Sequence, residues 1–504
     1  MVKKWLQFEY LLLFSVFTIA TCGLVYELVA GALASYLLGD SVKQFSFIIG
    51  VYLFSMGVGS YFAKYLKENL LDKFIDIEIL VGLIGGFSSI VLFLVFDYGA
   101  QFQFILYLLV FLTGSLVGLE IPLLMNLLEK RIEFKELVSN VFAVDYVGAL
   151  LASMLFPLVL VPNLGLIRTS LFFGLLNVSI AIALCFLLEK EIKNPLRLKV
   201  KSIVVFLLLL LAFFFSDKIL AFSEGKLYGE NIIFTKSTPY QRIVLTRTKN
   251  DFRLYLNNNL QFSSKDEYRY HESLVHPTLS LAKKIERVLV LGGGDGLALR
   301  EILKYDEVKE ITLVDLDEGM TNLFKTNTLL QALNDKSLSN PKVKIVNADA
   351  YVWLKNNAER YDVAIVDFPD PSNYSVGKLY TLNFYDTLKK ALTPDALISI
   401  QTTSPYFAPK SYWCIHRTVQ QIFATVQAYH AYVPSFGEWG FVLVSPQNEV
   451  PKQAQRQVKN LRFYDYRFSE LTHFQTDIAQ KEVEVNRLDN QILVRYFDEE
   501  WSKY

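Results

Sequence analysis

Net charge, clustered cysteine and metal-ligand spacing are all missing from this 504-residue chain. Fifty Lys and Arg balance fifty Asp and Glu. No basic stripe interleaved with aromatics stands out either, so nucleic acid is not an expected partner. Cys22, Cys185 and Cys414 lie far apart, two of them in apolar runs. That excludes a disulfide framework and a zinc spacing and leaves isolated buried thiols. Residues 44–63, 98–119, 146–167 and 169–188 contain no charged residue at all. This lack is the informative one. The chain is 52% hydrophobic with a mean hydropathy of +0.29, and the excess sits in residues 1–222. Residues 223–504 have ordinary globular composition.

Six segments, near 10–38, 44–63, 77–97, 102–128, 138–162 and 165–188, reach the about 20 apolar residues that a bilayer crossing needs. They predict a multi-pass α-helical transmembrane domain over 1–222, with membrane lipid as its surroundings and the inner cell membrane as its location. The first segment is too long for a cleaved signal and lacks a small-x-small site. A seventh run, Ile203–Phe215, spans only about 20 Å as a helix against a core of about 30 Å. Lys3, Lys4 and the connections at 64–76, 129–137 and 189–201 carry thirteen Lys or Arg, against Lys43 and Arg168 on the other side. The N-terminus is therefore expected in the cytoplasm. If the seventh run crosses, the rest of the chain lies outside; if not, it lies in the cytoplasm. The second is expected, because the co-substrate implied below is made there. Glu27, Glu120 and Asp145 interrupt the spans. Each should face the bundle interior, either as an interhelical hydrogen bonder or as a site for a cationic solute. Gly57, Gly59, Gly114 and Gly118 read as close helix packing.

In the polar half, QRIVLTR at 241–247 and FRLYLNN at 252–258 flank a Lys-Asn-Asp turn and predict a small antiparallel β lead-in domain over 223–286. From 287 to 446, strands near 287–291, 311–315, 343–347, 362–367 and 396–401 alternate with helical stretches, with two more near 428–433 and 440–445. That pattern predicts an α/β, doubly wound, Rossmann-like domain. The polar extension 447–504 is expected to form a helical cap. Ligands of such sheets lie at the carboxyl ends of the strands, where this chain repeatedly places acids. Gly292, Gly293 and Gly294 allow close backbone approach to a ligand, and Asp295 follows them. Asp315 ends the second strand, where acids accept from ribose hydroxyls. Asp349 follows the third and can accept from an adenine amino group. Asp367 ends the fourth, with Asp370 three residues on. Any one acid is commonly a helix N-cap. Five around one crevice, with nothing basic nearby in sequence, point to a cationic ligand such as a sulfonium or an ammonium.

These residues resemble the spermidine synthase (polyamine aminopropyltransferase) family, in its membrane-fused bacterial branch. The resemblance runs over about 225–445, through YQRI at 240–243, LQFSSKDEYRYHE at 260–272, VLVLGGGDG at 288–296, LVDLDE at 313–318, NADA at 347–350, DFPDP at 367–371, LYTLNFY at 379–385 and IQTTSPYF at 400–407. It implies transfer of an aminopropyl group from decarboxylated S-adenosylmethionine, a co-substrate rather than a bound cofactor, to putrescine or a related amine, without a metal. It also implies Asp367 as proton acceptor, Gln241 at the thioether end of the donor, His271 and Asp295 on the aminopropyl and amine side, Asp315 on the ribose and Asp349 with Ala350 on the adenine. Asp370, Tyr270 and Gln401 would contact the diamine, and a homodimer would be the assembly. Leu297, Ala350 and the SNYSVG stretch after Asp-Pro depart from the family pattern, and the last lies over the amine pocket. Two other readings stay open at this level: a methyltransferase using intact S-adenosylmethionine, which an acid-rich pocket disfavours through the donor's carboxylate, and a non-catalytic membrane polyamine transporter or sensor.

Overall fold

The structure, a computed structural model, describes residues 2–38, 41–96, 100–129, 134–446, 450–451 and 453–503; the side chains of 2–13, 36, 41, 100, 134 and 220–227 fall outside the description. Lys130 and Arg131 thus lie outside the described residues, as do the side chains of Lys3 and Lys4. The chain forms two compact units, Met1–Ile232 and Ile233–Tyr504.

The first unit consists, among the described residues, of seven helices: α1 (Val2–Leu38), α2 (Ser41–Ala63), α3 (Leu70–Val95), α4 (Ala100–Leu128), α5 (Phe134–Leu155), α6 (Val161–Leu187) and α7 (Pro195–Tyr228). A π-helical turn, Phe156–Leu160, joins α5 to α6, and Gly165 breaks the helix at φ 71°. Six helical stretches are long and apolar enough to cross a membrane, one of them the 53-residue Lys135–Leu187 that contains both α5 and α6. Helices α2 and α4 approach closely: a Cβ on Gly59 would lie 2.0 Å from the Ser115 carbonyl oxygen, and one on Gly118 would lie 2.2 Å from that of Met56. Gly57, by contrast, faces open space.

The apolar run 203–215 differs from the sequence expectation. It is the middle of α7, a 34-residue helix about 51 Å long. At one end Lys201 pairs with Asp76 at 2.5 Å, and Asp72 accepts the backbone N–H groups of Lys193 and Asn194 at 3.0 and 3.1 Å. At the other end Asp217 pairs with Arg168 at 2.6 Å. Helix α7 therefore runs beside α3 and α6 from one end of the bundle to the other. Charged residues on both flanks of the apolar run hid this from hydropathy, since long basic side chains continue a helix while reaching for water.

The second unit begins with a four-stranded sheet, β1 (Asn231–Ser237), β2 (Arg242–Arg247), β3 (Phe252–Leu256) and β4 (Asn259–Ser263) in that order; β1 and β4 extend the two-stranded pattern read from sequence. Helix α8 (Glu267–Leu281) leads into a seven-stranded sheet. The chain continues through β5 (Arg287–Gly292), α9 (Leu297–Ile302), β6 (Glu310–Asp315), α10 (Glu318–Thr326), α11 (Thr328–Leu333), β7 (Val343–Asn347), α12 (Ala350–Asn356) and β8 (Tyr361–Asp367). It ends with α13 (Tyr374–Gly377), α14 (Leu382–Lys390), β9 (Leu392–Gln401), α15 (Pro409–Gln420), β10 (Thr425–Val433), β11 (Gly437–Ser445), α16 (Phe468–Leu471) and α17 (Ile492–Trp501). The strand order is β10-β11-β9-β8-β5-β6-β7. The five strands β5 to β9 are parallel, and β10 and β11 close one edge antiparallel. Their near-continuous Val, Ile and Leu content follows from burial on both faces. The chain reverses direction across the sheet at β5, which pairs β6 on one side and β8 on the other. This is the switch point where such sheets open a crevice.

The C-terminal extension is mostly irregular rather than the expected helical cap. Buried acids hold it instead. Glu272 accepts the backbone N–H groups of Arg462, Phe463 and Tyr464 at 2.8–2.9 Å, and Glu500 accepts those of Lys410 and Ser411. A segment whose amides are satisfied by side chains needs no helix.

Candidate active site

The glycines and acids meet at the switch point. Gly292 is in register with Asp367 across the β5–β8 pair. A Cβ on Gly292, whose φ is 80°, would lie 2.2 Å from the Asp367 carbonyl oxygen, and one on Gly294 would lie 2.8 Å from the Asp315 carboxyl carbon. Glycine is thus required for the three strand ends to come this close. Asp315 accepts the backbone N–H of Gly294 at 3.0 Å and that of Asp317 at 2.9 Å, and burial pushes its carboxyl up to about 6.

Helix α8 brings the next group. Tyr270 donates its hydroxyl to Asp367 Oδ1 at 2.5 Å, and its ring packs on Phe436, Trp439 and Phe441. Burial raises the Asp367 carboxyl to about 6; His271 and the Tyr270 hydroxyl pull it down, and the Asp295 charge adds to the rise. His271 Nδ1 faces the Glu267 carbonyl oxygen at 2.8 Å and its carboxylate at 2.9 Å. Both are acceptors, so Nδ1 carries a proton. Burial alone would lower the His271 pKa, but the Glu267 hydrogen bond and the charges of Glu267, Asp295 and Asp367 overcome it and raise it. Asp295 caps the Leu297 amide at 2.9 Å and is raised by burial.

Asp370 is the outlier. Its Oδ1 is buried without a hydrogen-bond partner among the described residues, and burial pushes the carboxyl up to about 7 against the pull of the Gln401 and Thr403 side chains. Thr402 and Thr403 also bury unpartnered hydroxyls. Thr403 sits at φ 68°, a left-handed conformation that a β-branched residue rarely adopts. Backbone strain of this kind collects at functional sites, and the Thr-Thr pair gave no sign of it in the sequence.

Three sequence-predicted residues turn out to be occupied by protein. Gln401 donates to the Phe368 carbonyl and, at 2.9 Å, to the Tyr380 hydroxyl, and it accepts from Thr403 N–H at 3.1 Å and Trp439 Nε1 at 3.2 Å. Its amide is thus held in the pocket wall, where it also acts on the Asp370 carboxyl. Asp349 caps α12 through Tyr351 and Val352 N–H and pairs with Lys378 at 2.5 Å. Burial would raise its carboxyl, but Lys378 and the two amides hold it below the usual range. Ala350 follows at the first turn of α12, 6% exposed. Gln241 Nε2 donates to Asp317 Oδ2 at 2.7 Å, beside Thr238 at 2.8 Å. Asp317, which the sequence reading passed over, thereby joins the small sheet to the end of β6.

A second group absent from the sequence reading lies behind His271. Arg300 grips both Glu267 oxygens at 3.0 and 2.9 Å and Glu301 Oε1 at 2.8 Å. Glu301 Oε2 meets His276 Nε2 at 2.8 Å and Lys304 at 2.5 Å. All of Glu267, His271, His276 and Glu301 are at most 2% exposed.

The arrangement suits a ligand that brings positive charge. Asp295, Asp315, Asp367 and Asp370 converge on one crevice, and among the described residues none forms an ion pair with Lys or Arg. A carboxyl poised near 6, hydrogen-bonded to a tyrosine, can take a proton from a bound amine near neutral pH.

Known proteins bear on this crevice and on the whole chain. The spermine/spermidine synthase domain family matches residues 267–457. A polyamine aminopropyltransferase of Leptospira interrogans is 53% identical over 493 residues, covering 97% of this chain and 98% of that protein. Polyamine aminopropyltransferase 2 of Ralstonia nicotianae is 52% identical over 502 residues, covering 97% and 98%. Polyamine aminopropyltransferase 1 of Streptomyces coelicolor is 41% identical over 508 residues, covering 98% and 95%. The similarity therefore includes the helical unit as well as the sheet.

Proposed function

Because the chain belongs to the polyamine aminopropyltransferase family and is an aminopropyltransferase, we propose that it moves the aminopropyl group of decarboxylated S-adenosylmethionine to putrescine, giving spermidine and methylthioadenosine. The carrying observation is the set of acids at the switch point that form no ion pair with Lys or Arg among the described residues, above all Asp370, whose Oδ1 has no hydrogen-bond partner among them. In this reading Gln241, Gly292–Gly294, Asp315, Asp349 and Ala350 surround the adenosyl part. Asp295 and His271 face the aminopropyl arm, and Tyr270 and Asp370 hold the diamine.

The attacking nitrogen must be neutral, although an alkylamine has a pKa near 10, at a cost of about 4 kcal/mol at pH 7. Its lone pair forms the new N–C bond as the C–S bond breaks. The electron pair goes to sulfur, which leaves as a neutral thioether. The proton that must leave the substrate ammonium passes from nitrogen to Asp367 as the attack begins, and the product amine then carries the positive charge lost at sulfur. The sulfonium already activates its carbon, so the remaining task is alignment of nitrogen, carbon and sulfur.

The test is mass spectrometry on the purified full-length protein with decarboxylated S-adenosylmethionine and putrescine, cadaverine or spermidine in parallel, and with intact S-adenosylmethionine as control. Methylthioadenosine with spermidine is expected; adenosylhomocysteine from the control tube would replace this reading with methyl transfer. Asp370→Asn removes one charge-assisted hydrogen bond of about 1.5–3 kcal/mol. It should raise the KM for putrescine by about tenfold to a hundredfold and leave the KM for the donor unchanged.

We further propose that the helical unit is embedded in the cell membrane and that all seven helices cross it, with the catalytic unit in the cytoplasm beside its co-substrate. An odd number of crossings then puts the N-terminus outside, against the lysine-rich connections. A C-terminal green fluorescent protein fusion should be bright and a C-terminal alkaline phosphatase fusion inactive; the opposite pair would place the catalytic unit outside.

A further inference from the structure

The helical unit buries a group of polar side chains that aminopropyl transfer does not use. Glu78 on α3 is 0% exposed and Glu120 on α4 is 1% exposed. Each carboxyl group lies close enough to act electrostatically on the other, and none of the four oxygens has a hydrogen-bond partner among the described residues. Tyr26 on α1, 3% exposed, feels both carboxyls at its hydroxyl, and that hydroxyl is also unpartnered. Asn177 on α6 is 1% exposed with both amide atoms unpartnered. It packs on Gly82, where a Cβ would meet its own Cβ at 3.3 Å, one helical turn along α3 from Glu78 on the same face.

The helix positions agree on depth. Glu78 lies eight residues from the start of α3, Glu120 eight from the end of α4 and Asn177 ten from the end of α6. At 1.5 Å per residue this is roughly 12–15 Å inside one end of the bundle. Helices α3, α4 and α6 thus turn polar atoms toward one level of an otherwise apolar interior, and the Tyr26 ring packs on Gly85, two turns further along α3. An ionisable group at such a place is costly and is retained where it meets a solute, an ion or a proton path.

The oxygens choose the ligand. Two carboxyl groups, a phenol and an amide carbonyl offer acceptor oxygens, and no Lys or Arg pairs with them among the described residues. No group of three His, Cys, Asp or Glu that could hold a metal ion occurs among the described residues. A primary ammonium carries one positive charge and three donors, which matches two carboxylates and one further oxygen. We infer that Glu78 and Glu120, with Tyr26 and Asn177, form a second amine site inside the helical unit that binds an alkylammonium end of a polyamine, separate from the catalytic crevice. The two sources of that ammonium are the diamine substrate and the longer polyamine product.

The experiment is equilibrium dialysis of radiolabelled putrescine and, separately, spermidine against the full-length protein in lipid nanodiscs without donor. The expected result is two amine sites per chain. Glu120→Gln or Glu78→Gln should remove one of them and leave methylthioadenosine formation within about twofold of the parent. Asp370→Asn should weaken the other. Whichever amine occupies the Glu120-sensitive site names the source. A single site that Asp370→Asn weakens and Glu120→Gln leaves intact would overturn the inference, as would a Glu120-sensitive site that takes sodium and no amine. A Glu120-sensitive site with no response to Asp370→Asn would keep the inference and sink the catalytic assignment of Asp370 instead. Should the Gln variants not fold, Glu120→Asp is read: a changed amine affinity at the second site supports the inference, and an unchanged one overturns it.

Discussion

Asp367→Asn is expected to cut kcat by about a hundredfold to ten-thousandfold, the range in which a positioned general base acts. The amide keeps the size of the side chain and can still accept from the Tyr270 hydroxyl at the position of Oδ1. What it cannot do is take the proton released as the amine attacks. Donor KM should move little, because in this reading the donor is held by the glycine turn and by Asp315. The pH dependence carries the sharper signature. With its carboxyl near 6, Asp367 becomes a base only as pH rises through that value, so the parent enzyme should lose activity in acid with a limb near 6. The variant should lack that limb. Stability separates this from misfolding. A carboxyl whose pKa is raised by folding holds its proton more tightly in the folded state, so its contribution to stability falls as pH rises from about 4 to about 6. Replacing it by a neutral amide removes that penalty at pH 7–8, so the variant should melt no lower than the parent. A variant that keeps more than a tenth of parental kcat would move the proton to another acceptor, with Asp295, whose charge already acts on Asp367, the next carboxyl to test.

What could be read from the sequence follows from how far apart the interacting residues lie. The glycine turn and the acids at the ends of β5, β6 and β8 are legible because a parallel sheet fixes where strand ends go, whatever the rest of the chain does. Asp349 shows the limit of that logic. A strand-end acid that opens a helix is also an N-cap, and only the fold reveals that Lys378, 29 residues on, takes its other oxygen. Gln401 ends β9 in the expected place, but its partners come from three other segments that no local pattern connects. Glu78 escaped notice for a different reason. A hydropathy window places the span at 77–97 and so puts the acid at the water boundary, whereas α3 begins at Leu70 and carries it about two turns inside. The length of α7 was hidden in the same way, because the charged residues that flank its apolar run are good helix formers.

Arg300→Met should destabilise the catalytic unit by about 3–5 kcal/mol at neutral pH, the cost of leaving a buried charge without its partner. Arg300 stands between two carboxylates that are at most 2% exposed. Burial pushes Glu267 up, and the hydrogen bonds and charges of His271 and Arg300 more than reverse it, so its pKa is lowered. Glu301 is likewise held well below the usual carboxylate range against burial, by His276, Arg300 and Lys304. Methionine fills much of the space and offers neither charge nor donor. Because both acids are depressed in the folded state, the stability they contribute is present above about pH 4.3 and is lost as pH falls below it. The gap between parent and variant should therefore be widest near pH 7 and shrink in acid, where the two carboxyls would be protonated anyway. Urea unfolding followed by tryptophan fluorescence reads this out, since Trp353, Trp413, Trp439 and Trp501 all lie in the second unit. Arg300→Lys keeps the charge and loses the fork that grips both Glu267 oxygens, so it should fall between the two. The effect on catalysis tests whether the network also positions His271. Without Arg300 the Glu267 carboxylate loses its cation and becomes a stronger acceptor for the Nδ1 proton, so the His271 pKa rises further. A variant that is merely less stable would keep the parental pH profile at low temperature. One that has lost the orientation of His271 should show a shifted profile as well, and Arg300→Lys should restore part of it.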